Sequence, residues 1–310
     1  MLNKYVKLLK NGEIVAFPTE TVYGLGASAW NLSAIRMIFD QKGRPTDNPL
    51  IVHISSARMV EDFAKEIPDN ALKLMEHFWP GLLTLIFHKK PEVLDVITAG
   101  LDTVAIRWPK HPLAQELIAQ AGALVAPSAN SSGKPSPTKP EHVREDFGAD
   151  FPVIEAGETD IGLESTVLDI SEEPYQIYRP GAISPDEISK IIGTKVTVAE
   201  PAAKNTAAKS PGTKYTHYSP HATVKWLEAN PQKAGQNALY LLHSNKLEPV
   251  NQNIIQYNGD FKRMAHELYD RFRQADHETL NAILIEPFKE SDFKNPYVQA
   301  LHNRISKAVS

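Results

Sequence analysis

An α/β protein of two domains is what this chain predicts, and three observations carry the prediction. Its 310 residues exceed one ordinary hydrophobic core, while 42% apolar and 23% charged residues exclude a disordered chain. From Met1 to about Ile192, short apolar runs alternate with helical patterns, the rhythm of a layered α/β domain. After Gly193 the composition changes. Residues 194–219 are rich in Ala, Lys, Thr and Pro and read as a linker, and from Pro220 an α/β pattern resumes to residue 310.

Strands are expected at Ile14 to Phe17, Leu50 to Ile54, Leu82 to Phe87, Thr103 to Arg107, Leu124 to Ala126, Thr166 to Ile170 and Gln176 to Tyr178. Most are β-branched and bounded by Pro or Gly. Ser33 to Gln41 and Asp69 to Phe78 have helical spacing, with Ile35, Ile38 and Phe39 on one side of the first. The clearest helix start is Ser184-Pro185-Asp186-Glu187, which offers an N-cap, a first-turn proline and a capping-box glutamate. Beyond the linker, Val224 to Leu227, Ala238 to Leu242 and Ala282 to Ile285 read as strands, and Asp260 to about Arg273 as an amphipathic helix.

Composition also removes function classes. A formal charge of −4 excludes a chain that is basic throughout for a polyanion, though local anion sites remain open. With no Cys there is no disulfide framework, cysteine nucleophile or thiolate metal site. No carboxylate or His cluster with metal-ligand spacing appears either: Pro220 between His217 and His221 disrupts a shared helical face. No apolar run approaches the ~20 residues of a bilayer crossing, so the expectation is a cytoplasmic protein with no membrane role.

Chemistry-bearing residues collect at strand ends. Pro18-Thr19-Glu20-Thr21-Val22-Tyr23-Gly24-Leu25-Gly26 reads as a strand exit leading to a helix, yet it lacks the third glycine of a dinucleotide fingerprint and the Gly-Lys-Ser/Thr of a phosphate loop. A plain turn explains it equally well. Lys42-Gly43-Arg44-Pro45 is either a helix C-terminus or a two-cation clamp for a polyphosphate. His53 closes the next strand and, taken alone, reads first as structural. Ser128-Ala129-Asn130-Ser131 is either a set of turns or a group of phosphate ligands. Arg107 and Arg179 put cations at two more strand ends. In a largely parallel sheet these ends would share one rim and require an anion there. No Gly-x-Ser-x-Gly elbow is present, and a site of cations, hydroxyls and amides without a nucleophile favours direct displacement at phosphorus.

Together these segments resemble the YrdC-like threonylcarbamoyl-AMP synthases, in the long form with a C-terminal domain. The resemblance rests on Pro18 to Gly26, Lys42 to Pro45, Asp47 to His53, Ser128 to Asn130, Leu163 to Val167 and Arg179 to Gly181, and resumes at Ser210 to Pro220. It implies a large twisted open-sheet domain with helices (residues 1–193), a linker or lid over the active site (194–219) and a small Rossmann-like domain (220–310). It also implies synthesis of threonylcarbamoyl-AMP and pyrophosphate from L-threonine, bicarbonate and ATP with Mg²⁺, the product passing to threonylcarbamoyl-transfer proteins acting on tRNA.

By the same resemblance Lys42, Arg44, Ser128 and Asn130 are catalytic, and Arg44, Asn48, Thr103, Ser128, Ser136, Arg179 and Tyr218 bind ATP. Thr21, His53, Arg107 and Ser165 hold L-threonine, with Thr19, Tyr23 and Thr166 as neighbours. No protein metal ligand is implied. Lys214, Tyr215, His217 and Tyr218 are expected in a segment that closes over the pocket. The competing reading is a non-catalytic, weakly RNA-binding module of the same fold, which would bind with a steep salt dependence and need neither ATP nor threonine. The related hydrogenase-maturation carbamoyltransferases carry a zinc-finger region that would require Cys.

Overall fold

The computed structural model describes residues 2–200, 218–228, 237–244 and 253–309. In chain order the first domain contains α1 (Asn3–Lys10), β1 (Val15–Phe17), β2 (Gly24–Ser28), α2 (Leu32–Lys42), β3 (Ile51–His53), α3 (Asp69–Phe78), β4 (Leu83–His88), α4 (Asp95–Thr98) and β5 (Thr103–Arg107). It continues with α5 (Pro112–Ala121), β6 (Leu124–Val125), α6 (Pro140–Phe147), β7 (Thr166–Asp169), β8 (Gln176–Arg179), α7 (Pro185–Ile192) and β9 (Thr197–Val198). The second domain contains β10 (Thr223–Trp226), β11 (Ala238–Leu242), β12 (Ile254–Gln256), α8 (Phe261–His277), β13 (Ala282–Ile285) and α9 (Pro296–Ala308).

Local chemistry sets several element ends. Asn31 caps α2 by accepting from the Ala34 amide, and Gly43 stops it in the left-handed region at φ 62°. Ser184 and Glu187 form the expected capping box at the start of α7. One segment departs from expectation. Gly24-Leu25-Gly26 is not a turn leading to a helix but most of β2, paired antiparallel with β1 through Phe17↔Gly24 and Val15↔Gly26. The glycines are there for close approach: a Cβ on Gly26 would lie 2.8 Å from the Phe17 ring.

The large sheet has the order β1-β2-β6-β3-β5-β4-β7-β8-β9. It is mixed, not largely parallel: β3/β5, β4/β7 and β8/β9 run parallel, and the other neighbours antiparallel. The expected single rim of strand ends is therefore replaced by a meeting of opposite ends. His53 pairs with Arg107 at the ends of β3 and β5, Arg107 with Thr84 near the start of β4, Leu83 with Thr166 at the start of β7, and Val167 with Arg179 at the end of β8. Thr197 and Val198 extend this sheet beside β8, so it reaches past the expected boundary at residue 193.

Helices α2, α3 and α7 bury Ile35, Ile38, Phe39, Leu74, Ile188 and Ile192 in the main core with Leu85, Phe87 and Ile106. On another face α1 and α5 cover Phe17 and Leu124 with Leu9, Leu117 and Ile118. In the second domain, β10-β13-β11-β12 is wholly parallel, as a Rossmann-like layer requires. Met264, Leu268 and Phe272 of α8 and Leu301 and Ile305 of α9 fill its core, and Val22 and Leu163 of the first domain pack into the same apolar cluster. The two domains meet tightly at Gly162, φ +79°, where a Cβ would stand 2.3 Å from the His266 carbonyl. Among the described residues no helix is long and apolar enough to cross a membrane.

Candidate active site

Lys42 follows Ile35 and Ile38 on the buried face of α2, and that periodicity carries a cation inward to 4% exposure. Its Nζ donates to the carbonyls of Ser128 at 2.6 Å and Asn130 at 2.5 Å. Burial, and then the charge of Arg44, push the Lys42 pKa well below its ordinary value, against a smaller opposing pull from Asp146. The left-handed Gly43 turns the chain so that Arg44 donates to the carbonyls of Asn48 at 3.3 Å and Pro49 at 3.0 Å. Asn48 is wholly buried, and neither polar atom of its amide has a partner among the described residues. Asn130 spends its amide nitrogen on the carbonyls of Ser131 and Lys134, and its Oδ1 is likewise unpartnered among the described residues. Buried polar groups left open in this way are uncommon unless a ligand or water completes them.

A second cluster lies at the far end of β3. Arg107 donates through NH2 to Glu20 Oε1 and through NH1 to Thr21 Oγ1, both at 2.8 Å, and through Nε to the Gly81 carbonyl at 3.1 Å. His53 lies alongside it in the sheet, with Nδ1 at 3.1 Å from the Ile51 carbonyl. A carbonyl can only accept, so the proton sits on Nδ1 and Nε2 is left as an acceptor. Burial, followed by the charge of Arg107, lowers the His53 pKa to about 3, so the ring is neutral at physiological pH. Ser165 Oγ is shared between Thr84 Oγ1 at 2.8 Å and Arg179 NH2 at 3.1 Å.

Two small cavities result, of about 50 and about 40 Å³. The first is lined by Lys42, Arg44, Asn130, Ser136 and Tyr218, the second by Thr19, Thr21, His53 and Arg107. Ser128, Glu164 and Arg179 line both. They come together because β3 is only three residues, roughly 10 Å, long. Residues before it and at its end reach neighbouring space across the sheet face.

Most of the expected site residues are thus brought together. Thr103 does not line either of these two cavities. It begins β5, four residues from Arg107 and therefore roughly 13 Å along an extended strand. The groove it lines contains Asp102, Asp169, Glu172 and Glu173, a poor environment for phosphates. Of the suggested neighbours, Thr19 lines the second cavity, while the hydroxyls of Tyr23 and Thr166 are spent on the carbonyls of Gly157 and Ile183. Tyr218 lines the first cavity, and Ser219 is tied to it by a 2.8 Å bond to the Gly133 carbonyl. Lys214, Tyr215 and His217, expected in the lid, lie outside the described residues.

Two carboxylates were not expected. Glu20 orients Arg107, and Glu164 sits between the cavities. Burial alone would raise the Glu164 pKa, but Arg304 and Arg179, with the hydrogen bond from Ser136, hold it down to about 2. Glu20 lay within a motif already singled out. Glu164 stood in another, but nothing local announced that its counter-ion is 140 residues away.

Residues 7–181 match the Sua5, YciO and YrdC family profile, described as telomere recombination, and residues 183–310 match the threonylcarbamoyl-AMP synthase C-terminal domain. The chain belongs to the Sua5/YciO/YrdC family. A relative from Bacillus subtilis (strain 168), named threonylcarbamoyl-AMP synthase, is 42% identical over 97% of this chain and 91% of its own length. One of the same name from Pyrococcus abyssi is 43% identical with the same coverage. The crystal structure of P. abyssi Sua5 complexed with L-threonine matches with a TM-score of 0.89 at 40% identity, over 99% of this chain and 93% of that one. E. coli YciO, at 20% identity and a TM-score of 0.54, covers 60% of this chain and 92% of its own, and shares the fold.

Proposed function

We propose that the chain is a threonylcarbamoyl-AMP synthase, a nucleotidyltransferase that consumes L-threonine, bicarbonate and ATP and releases pyrophosphate. The observation that carries this reading is the pair of cavities sharing Ser128, Glu164 and Arg179: one is also lined by Lys42, Arg44 and Lys134, the other by an Arg–Thr clamp beside a neutral His. Full-length relatives with the synthase name, and a close structural neighbour holding L-threonine, support it.

In this mechanism Arg107 and Thr21 take the threonine carboxylate, and His53 Nε2 accepts from the amine or hydroxyl. Once neutral, the amine attacks the carbon of bicarbonate, water departs, and a carbamate forms. A carbamate oxygen then displaces pyrophosphate at the α-phosphorus, breaking the bond to the bridging oxygen. As an ammonium, the form a bound triphosphate favours, Lys42 has one donor beyond its two carbonyls, and with Arg44 it stabilises charge on the departing group. Asn48, Ser136, Arg179 and Tyr218 serve the nucleotide. No covalent enzyme intermediate is needed.

Among the described residues no group of three or more His, Asp or Glu could hold a metal, and the Glu164 carboxylate is occupied by Ser136, Tyr269 and Arg304. Such a lining fits a Mg²⁺ that arrives on the ATP phosphates, where it would neutralise charge. The product, an easily hydrolysed mixed anhydride, passes to threonylcarbamoyl-transfer proteins acting on tRNA.

Pyrophosphate release measured with ATP, threonine and bicarbonate omitted in turn tests the reading. Turnover is expected only with all three present. A protein that binds structured RNA with a steep salt dependence, yet releases no threonine-dependent pyrophosphate, would overturn it. Lys42→Ala is expected to cut turnover by about 100-fold or more while thermal unfolding stays cooperative.

A further inference from the structure

The mechanism above uses no residue of the second domain, yet that domain reaches the wall of the nucleotide pocket. Glu164 Oε1 accepts from Ser136 Oγ at 2.6 Å and from Tyr269 OH at 3.3 Å. Its Oε2 accepts from Tyr269 OH at 3.0 Å and from Arg304 Nε at 2.8 Å. Arg304, fully buried at 0% exposure, also donates through NH1 to the Pro180 carbonyl at 2.8 Å, next to Arg179. The Tyr218 ring stacks on Tyr269 with centroids 5.3 Å apart, and the Arg304 guanidinium lies 5.7 Å from the Tyr218 centroid. Three side chains, Ser136, Tyr269 and Arg304, therefore converge on one carboxylate, with Tyr218 packed against two of them.

A carboxylate lining a triphosphate pocket is a problem in itself. Ionised and uncompensated, it repels the phosphates, and in this low-dielectric setting solvent screens it little. Arg304 supplies the compensating charge, and Tyr269 supplies a donor to both oxygens. With both held, Ser136 has one defined acceptor and Tyr218 one defined stacking surface.

We propose that Arg304 and Tyr269 are positioning residues for the ATP pocket, acting through Glu164 from the second domain. The proposal rests on the ATP-dependent reading above. It separates pocket-building from domain attachment, because a further cross-domain tie lies away from the nucleotide cavity. Lys139 and His142 meet Asp270 at 2.8 and 3.2 Å, and none of these three lines the nucleotide cavity.

The test compares pyrophosphate-release kinetics of the full-length wild type with Arg304→Met, Tyr269→Phe, Asp270→Asn and the double variant Glu164→Gln/Arg304→Met. Arg304→Met is expected to raise the KM for ATP by about tenfold or more and the KM for threonine by clearly less, since Glu164 lines both cavities but a triphosphate carries more negative charge than one carboxylate and Arg107 and Thr21 make no bond to Glu164. Tyr269→Phe should give the same selectivity in smaller measure, and it carries the test if Arg304→Met does not fold. The double variant is expected to recover most of the ATP affinity, because the uncompensated charge has gone, and Asp270→Asn should leave the ratio of the two KM values unchanged. Equal rises in both KM values, the same ATP defect in Asp270→Asn, or no recovery in the double variant would overturn the proposal. A wild type without threonine-dependent turnover would instead overturn the function on which it rests.

Discussion

Among the described residues, two buried Arg–Glu pairs have the same length and differ in how complete they are. Arg107 meets Glu20 and Arg304 meets Glu164, each at 2.8 Å. Both oxygens of Glu164 are satisfied, by Ser136, Tyr269 and Arg304. Glu20 Oε2 has no partner among the described residues, and Arg107 faces the cavity that holds the neutral His53. A saturated pair is a strut, and an unsaturated one beside a cavity is a receptor awaiting its ligand. Similar chemistry therefore serves two purposes, distinguished by the count of donors around the carboxylate.

The largest expected break in this comparison is Arg107→Met. It leaves Glu20 buried without its counter-ion, so unfolding stability should fall by about 3–5 kcal/mol, and threonine saturation should be lost. Denaturant titration and the threonine dependence of pyrophosphate release check both, and an unchanged threonine KM would remove Arg107 from the clamp.

Acid should separate the pairs next. The folded Glu164 pKa of about 2 lies below its ordinary 4.5, so its stabilisation is complete above about pH 4.5 and is lost as pH falls toward 2. The full contribution is on the order of 3 kcal/mol. His53, also depressed, resists protonation between its ordinary 6.5 and about 3 and loses stability over that range in wild type and Glu164→Gln alike. The unfolding free energies of the two proteins in urea should therefore run parallel from pH 7 to about pH 4.5 and approach each other below it, with wild type falling faster. Curves that stay parallel below that pH would show that Glu164 is not held in this way.

The smallest effect is expected from Gly162→Ala. Its Cβ would meet the His266 backbone, costing about 1–3 kcal/mol by overpacking and strain. That contact joins the domains, and the Gly162 amide also donates to the Thr21 carbonyl at 3.1 Å, so ATP and threonine handling should both weaken. Unchanged KM values for both would show that this docking contact does not support the site.

The sequence disclosed what depends on near neighbours. The α7 capping box, the limits of α3 and β5 and the buried stripe of α2 follow from spacings of a few residues, and the structure bears them out. Lys42, Arg44, Ser128 and Asn130 were legible as polar groups at element ends, and the family resemblance supplied their roles. What escaped depends on the tertiary arrangement. β2 was hidden because Gly-x-Gly signals a turn locally, whereas here both glycines clear the Phe17 ring. Arg304 sits on α9 like any helix-borne cation, and only the fold brings it to Glu164.

The brevity of β3 has a consequence for what the chain can tolerate. Inserting one residue would turn His53 to the opposite side of the sheet, and inserting two would keep its side but slide it roughly 7 Å along its neighbour Arg107. The strand works as a ruler that sets the imidazole against the guanidinium beside it. Loops around it can vary in length, but the ruler itself cannot.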